Sequence, residues 1–306
     1  PSGALLHDLQ QCRAALDTPP VTVEEQRDTA DGGWSSGSGF RSSDEGPCTV
    51  DIWDTSLTYA QFLREYAYSK PVILRGCSDN KVRPRLLFRH QILSESTWMR
   101  IAVFGARDLI RSPACRQEFR HLCSKQRLLQ EYGERLVRLS TANTYSYRKV
   151  DIPFQEYVEH LLKPQAASAL GSDTLYFFGD NNFTEWHSLF KKYSAPCYIL
   201  PRTTGAYSFG IAGPGTGVPF HWHGPGYSEV IYGRKRWFLY PPDKKPHFHP
   251  NRTTLSWVTD AYPTLPAEDK PIECTIRPGE VLYFPDRWWH ATLNLDTSVF
   301  ISTFLG

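Results

Sequence analysis

The sequence predicts a mainly β fold introduced by a few helices (α+β) and arranged as a double-stranded β-helix, a jelly-roll barrel built from two sheets. Two observations carry this expectation. From Thr174 onward the chain is written in short runs of aromatic and β-branched residues separated by Gly and Pro. Examples are Leu175-Tyr176-Phe177-Phe178, Tyr207-Ser208-Phe209-Gly210-Ile211, Trp237-Phe238-Leu239-Tyr240, Val281-Leu282-Tyr283-Phe284 and Val299-Phe300-Ile301. Aromatic residues make up 14% of the 306 positions, and much of that stock falls after Tyr176, where a packed β core requires it.

Residues 1–46 are expected to be unstructured, because the Gly/Ser run from Asp31 to Gly39 has little to bury. A single domain over 47–306 follows. Thr58-Tyr59-Ala60-Gln61 has the form of a capping box, and Phe62, Leu63 and Tyr66 continue at helical spacing until Lys70-Pro71. Val72-Ile73-Leu74-Arg75-Gly76 reads as a short strand and turn. Residues 81–118 are Arg-rich without a clear period and are expected to be an insertion. Ser124 is a candidate N-cap for a helix ending at Gly133, and Leu136–Leu139 reads as a strand. Pro153 can open a helix whose apolar face is Phe154, Tyr157, Val158, Leu161 and Leu162.

A net charge of +2 does not argue for a nucleic-acid or membrane-surface partner. No run approaches the ~18 apolar residues that a membrane span requires. The chain opens on Pro1 rather than Met, so a preceding segment is expected and the absence of a signal peptide carries no information. Two glycosylation acceptors are present, Asn182-Phe183-Thr184 and Asn251-Arg252-Thr253; if used, they require passage through the secretory pathway. Seven Cys lack any Cys-x-x-Cys pair, which argues against a zinc ribbon or a thioredoxin-type site, and the odd number leaves at least one free thiol or an intermolecular bond.

The chemistry concentrates in the last third. In Phe220-His221-Trp222-His223 the two histidines stand at i and i+2, so on a strand both rings point to one face. His290, in Trp288-Trp289-His290, arrives from a later segment, after the turn signal Pro278-Gly279. Three imidazoles meeting between sheets make a metal site, and imidazole suits Zn, Cu, Fe and Ni alike. Gly213-Pro214-Gly215-Thr216-Gly217 is no phosphate loop, since no Gly-Lys-Ser/Thr follows; it reads as a tight connection into the metal-bearing segment. A second His-x-His, His247-Phe248-His249, lies in a Pro- and Lys-rich stretch and reads as surface. Alternation puts Lys235 on one face with Trp237 and Leu239, and Arg234, Arg236 and Phe238 on the other. An ammonium on an aromatic inner face needs an anion, which a bound dicarboxylate would supply.

Pro219–His223, Gly233-Arg234-Lys235-Arg236-Trp237 with Pro241-Pro242, and Pro278-Gly279-Glu280 through Trp288-Trp289-His290 and Leu293-Asn294-Leu295 resemble the jumonji-C (JmjC) family. So do Leu139–Tyr147 and the terminal Phe300–Gly306. The family comprises cupin-fold oxygenases that depend on Fe(II) and 2-oxoglutarate. The resemblance implies His221, His223 and His290 as ligands of Fe(II) or Zn, and Lys235, with Ser302, as the cosubstrate anchor. It also implies the endoplasmic reticulum lumen, which accounts for the acceptor asparagines. The departure is His223, where the family carries an acid. A carboxylate ligand cancels one unit of the ion's charge, whereas three neutral imidazoles leave +2 and make oxidation harder. Glu229, past a Gly-Pro-Gly turn, is the nearest candidate replacement acid. The expected function is therefore a weakly active or non-catalytic regulatory protein with protein partners, a second copy of the chain among them. The alternative is a 2-oxoglutarate-dependent protein hydroxylase using a three-histidine site.

Overall fold

The computed structural model describes residues 30–34, 39–40, 42–78 and 118–306. Of the expected insertion 81–118, residues 81–117 lie outside the described residues, and Glu118 opens a helix. Strand β1 (Asp51–Trp53) leads to helix α1 (Tyr59–Glu65), then β2 (Val72–Arg75), α2 (Glu118–Leu122) and α3 (Lys125–Tyr132). Next come β3 (Leu136–Thr141), β4 (Lys149–Pro153), β5 (Leu175–Phe178), the short α4 (His187–Phe190), β6 (Gly205–Ala212), β7 (Gly226–Tyr232) and β8 (Lys235–Tyr240). Helix α5 (Thr254–Asp260) precedes β9 (Ile272–Ile276), β10 (Glu280–Phe284), β11 (Trp289–Asn294) and β12 (Ser298–Leu305).

Local chemistry places several of these ends. The Thr58 hydroxyl accepts from Gln61 N at 3.2 Å while Gln61 Oε1 accepts from Thr58 N at 3.0 Å, so the capping box forms. Ser124 precedes α3 without a side-chain cap bond, and Gly133 ends it in a right-handed conformation. After β4, Phe154–Glu156 opens a helical turn that widens into a π turn over Tyr157–Leu161, burying Phe154, Tyr157 and Val158.

Among the described residues nine strands form one sheet in the order β1-β2-β10-β7-β12-β6-β5-β3-β4, and β11-β8-β9 form a second. The core between them takes residues from both: Val230, Leu282 and Phe300 from the large sheet, Trp237, Leu239 and Ile276 from the small one. The expected two-sheet fold is present, but the barrel does not close. Among the described residues the sheets face each other without a continuous ladder between them, and a hydrophobic layer holds them together.

Other apolar layers flank this sandwich. Phe119 of α2 and Leu128 of α3 pack on the back of the large sheet against Ile211, Ile231 and Ile301, and α1 packs Phe62 against Tyr227 and Tyr283. α5 covers the outer face of the small sheet through Trp257, which meets Phe220 and Phe238. The stretches described before Cys48 also dock here. Trp34 is buried, with its Nε1 donating to Cys123 O at 2.9 Å. Glu45 pairs with Arg234 at 3.0 Å and with Arg277. The packed region thus reaches further toward the N-terminus than a start near Cys48. Disulfides join Cys48 to Cys274 and Cys77 to Cys197; Cys123 is free and buried.

Candidate metal centre

The segment ahead of the first histidines is held against β11 by backbone bonds. Asn294 N donates to Thr216 O at 2.8 Å, Thr292 N to Val218 O at 3.1 Å, and His290 N to His221 O at 2.8 Å. Gly217 permits this approach, because a Cβ there would stand 1.7 Å from Thr292 O. The expected strand around His221 and His223 is reduced to a single antiparallel bridge, His221↔His290. The in-out alternation survives all the same: Trp222 is 51% exposed, while the rings on either side of it turn inward.

The ligand nitrogens of His221, His223 and His290 lie within 4.8 Å of one another. Each Nδ1 is tied to a backbone carbonyl at 2.9 Å: Pro219 O for His221, Gly224 O for His223 and Trp288 O for His290. A carbonyl only accepts, so every Nδ1 carries its proton and every Nε2 is left with a bare lone pair. His223 Nε2 and His290 Nε2 are 3.1 Å apart. Two such lone pairs repel unless a cation or an extra proton sits between them. Burial opposes the proton, pushing His290 well below the usual histidine range and His221 down to about 4, with His223 also lowered. The donor set fits a divalent metal. Phe284 and Trp237 pack on His290 with ring centroids 5.2 and 5.6 Å away, and Phe304 packs on His223 at 4.9 Å.

No carboxylate completes the triad among the described residues. Glu229 lies one position from Ser228 on β7 and therefore faces the opposite side of the sheet. There its carboxylate accepts from the Ser78 hydroxyl and, at 3.1 Å, from Tyr193 Oη. It does not replace the acid.

Lys235 is 3% exposed and shares the inner face with Trp237 and Leu239. Its Nζ donates to Tyr176 Oη at 3.1 Å and sits 3.3 Å from the Phe300 ring centroid. Burial drives its pKa well below the lysine range, and no acid pairs with it among the described residues. Ser302 alternates with Phe300 and Phe304 on β12, so it stands between the ring over Lys235 and the ring on His223. In register, Ser302 lies opposite both Ser208 and Ser228. The Ser228 hydroxyl and Trp237 Nε1 are buried without a partner among the described residues. A buried lysine without an acid, beside orphaned donors, fits a polyanionic ligand such as a dicarboxylate. Sequence reasoning missed Tyr176, Ser208 and Ser228; the alternation of their strands was the available signal. Of the acceptor asparagines, Asn182 is exposed and Asn251 half-buried.

Fold and triad together define a cupin-type domain carrying a cluster of three histidines that could hold a metal ion. Residues 60–304 match the family described as a cupin-like domain, and the chain belongs to that family. It is 60% identical over 276 residues to "JmjC domain-containing protein 8" of Homo sapiens, covering 90% of each chain. The mouse protein of the same name is 57% identical over 281 residues, 91% of each. The jumonji-C resemblance therefore holds. More distantly, the chain is 26% identical over 199 residues to "2-oxoglutarate and iron-dependent oxygenase JMJD4" of Gallus gallus, covering 57% of this chain and 47% of that one. A solved ribosomal oxygenase, YcfD of Escherichia coli, aligns with 81% of this chain and 51% of its own at 16% identity and a TM-score of 0.41, too low to bear on the site.

Proposed function

We propose that this chain is a jumonji-C protein of the secretory pathway that binds a divalent metal and a 2-oxoglutarate-like dicarboxylate with little or no turnover, and acts by engaging other proteins. The observation that carries this reading is the all-histidine ligand set, with Glu229 turned away. Three neutral imidazoles leave the ion its full double charge, which favours an anionic ligand and opposes oxidation of the metal. When bound, Fe(II) with 2-oxoglutarate supplies oxygen-dependent oxidation of a nearby C–H bond. The chain's own residues do the rest: backbone carbonyls hold the imidazole tautomers, Phe284, Phe304 and Trp237 exclude water, and Lys235 with Ser302 and Ser228 receives a carboxylate.

Two disulfides support an oxidising compartment such as the endoplasmic reticulum lumen. No helix among the described residues is long and apolar enough to cross a membrane. Trp222 beside the triad and the exposed pair Tyr145 and Tyr147 offer aromatic surface of the kind protein interfaces use. A second copy of the chain is one such partner.

The test is succinate release from protein prepared anaerobically with Fe(II) and 2-oxoglutarate. The reading expects silence from the wild type and turnover gained in His223→Asp. Wild-type turnover that disappears in His290→Ala establishes instead a hydroxylase with a three-histidine centre, the reading that the preserved Lys235 recess favours.

A further inference from the structure

Back to back with the metal centre, on the outer face of the small sheet, lies a cavity of about 310 Å³. This is within the size range of small-molecule sites, at its lower end. Phe220 and Ala291, the outward neighbours of His221 and His290, form its floor, and Trp257 of α5 and Phe248 supply further aromatic wall.

The mouth is rich in donors. His249 Nδ1 accepts from Asn251 N at 3.2 Å, so in the neutral ring Nε2 carries the proton. Arg252 reaches Asp260 at 3.3 Å in an exposed pair that solvent screens, leaving the guanidinium free to trade partners. Among the described residues Asp260 is the one acid of the lining, against the donors Arg252 and His249.

We propose that this cavity is a second ligand site, distinct from the metal centre, that takes a compact one- or two-ring aromatic carboxylate. The rings stack among Phe220, Phe248 and Trp257, and the carboxylate faces Arg252 and His249. Depth and wall chemistry select a flat apolar body; Arg252 and His249 at the rim select an acceptor group.

The probe is 2-naphthoate, titrated calorimetrically into metal-free protein so that the result is independent of the triad. The expected outcome is saturable one-to-one binding, with neutral 2-naphthylmethanol about tenfold weaker. Arg252→Met should erase that preference, and Ala261→Phe, which plugs the cavity from its rim, should abolish binding. Absence of saturable binding in the wild type, or binding untouched by Ala261→Phe in a folded variant, overturns the site. Equal affinity for the acid and the alcohol overturns the carboxylate class.

Discussion

His221 and His290 exchange both backbone hydrogen bonds, His221 N to His290 O at 3.1 Å and His290 N to His221 O at 2.8 Å. This one bridge fixes two of the three ligand rings across 69 residues of sequence, and the third, His223, follows two positions later. Preorganisation of this kind makes metal binding inexpensive in conformational entropy. One divalent ion per chain is expected by elemental analysis after loading with Zn(II) or Co(II). His290→Ala should lower its affinity by 10²-fold or more. At metal concentrations a hundredfold above Kd the wild type should gain about 2.7 kcal/mol of stability, which a chelator removes.

Protons compete for the same nitrogens. His221 titrates at about 4 in the folded protein against 6.5 in an unfolded chain, because burial and the neighbouring His223 disfavour its charged form. The unfolded state therefore takes up protons first as pH falls. Metal-free protein should lose stability progressively from about pH 6.5 to about pH 4, and His221→Asn should flatten that slope. Melting temperatures across this range in the presence of a chelator check the sign.

Lys235 titrates well below an ordinary lysine because it is buried without an acid. The unfolded chain binds the extra proton, so this residue opposes folding at neutral pH, and the penalty fades as pH rises toward 10.5. Lys235→Met should leave the free protein as stable as the wild type or more so. It should also abolish the rise in melting temperature that 2-oxoglutarate produces in metal-loaded wild type. An unchanged rise would show that the carboxylate is bound elsewhere.

The two acceptor asparagines differ in availability. Asn182 is exposed, and only its Oδ1 is engaged, accepting from Thr184 N at 3.1 Å. Asn251 uses both ends of its amide on Ser172, with Nδ2 donating at 3.1 Å and Oδ1 accepting at 3.0 Å, while Thr253 is 3% exposed and caps α5. Secreted protein should therefore carry glycan on Asn182 alone once folded. The mass shift on glycosidase treatment should vanish in Asn182→Gln and persist in Asn251→Gln. The latter should cost about 1–3 kcal/mol of stability through the two lost bonds.

Disulfide Cys48–Cys274 ties the segment before β1 to β9, next to Glu45 and its two arginines. Replacing both cysteines by Ala should cost roughly 2–5 kcal/mol in denaturant unfolding, and reduction of the wild type should cost at least as much, because it also opens Cys77–Cys197.

Patterns of period two and local turn chemistry are written in consecutive residues, so the sequence alone determined the strands after Thr174, the Thr58 capping box, the inward face of Lys235 and the His221, His223, His290 set. What it left open depends on distances that no spacing encodes. The two sheets stay separate because side-chain packing rather than a hydrogen-bonded ladder joins them. Glu229 faces Ser78 and Tyr193 because strand β7 places it one residue out of phase with the site. The pairing of Cys48 with Cys274, the serine row opposite Ser302 and the cavity behind His221 arise only when segments far apart in sequence meet, and that meeting is decided by burial across the whole core.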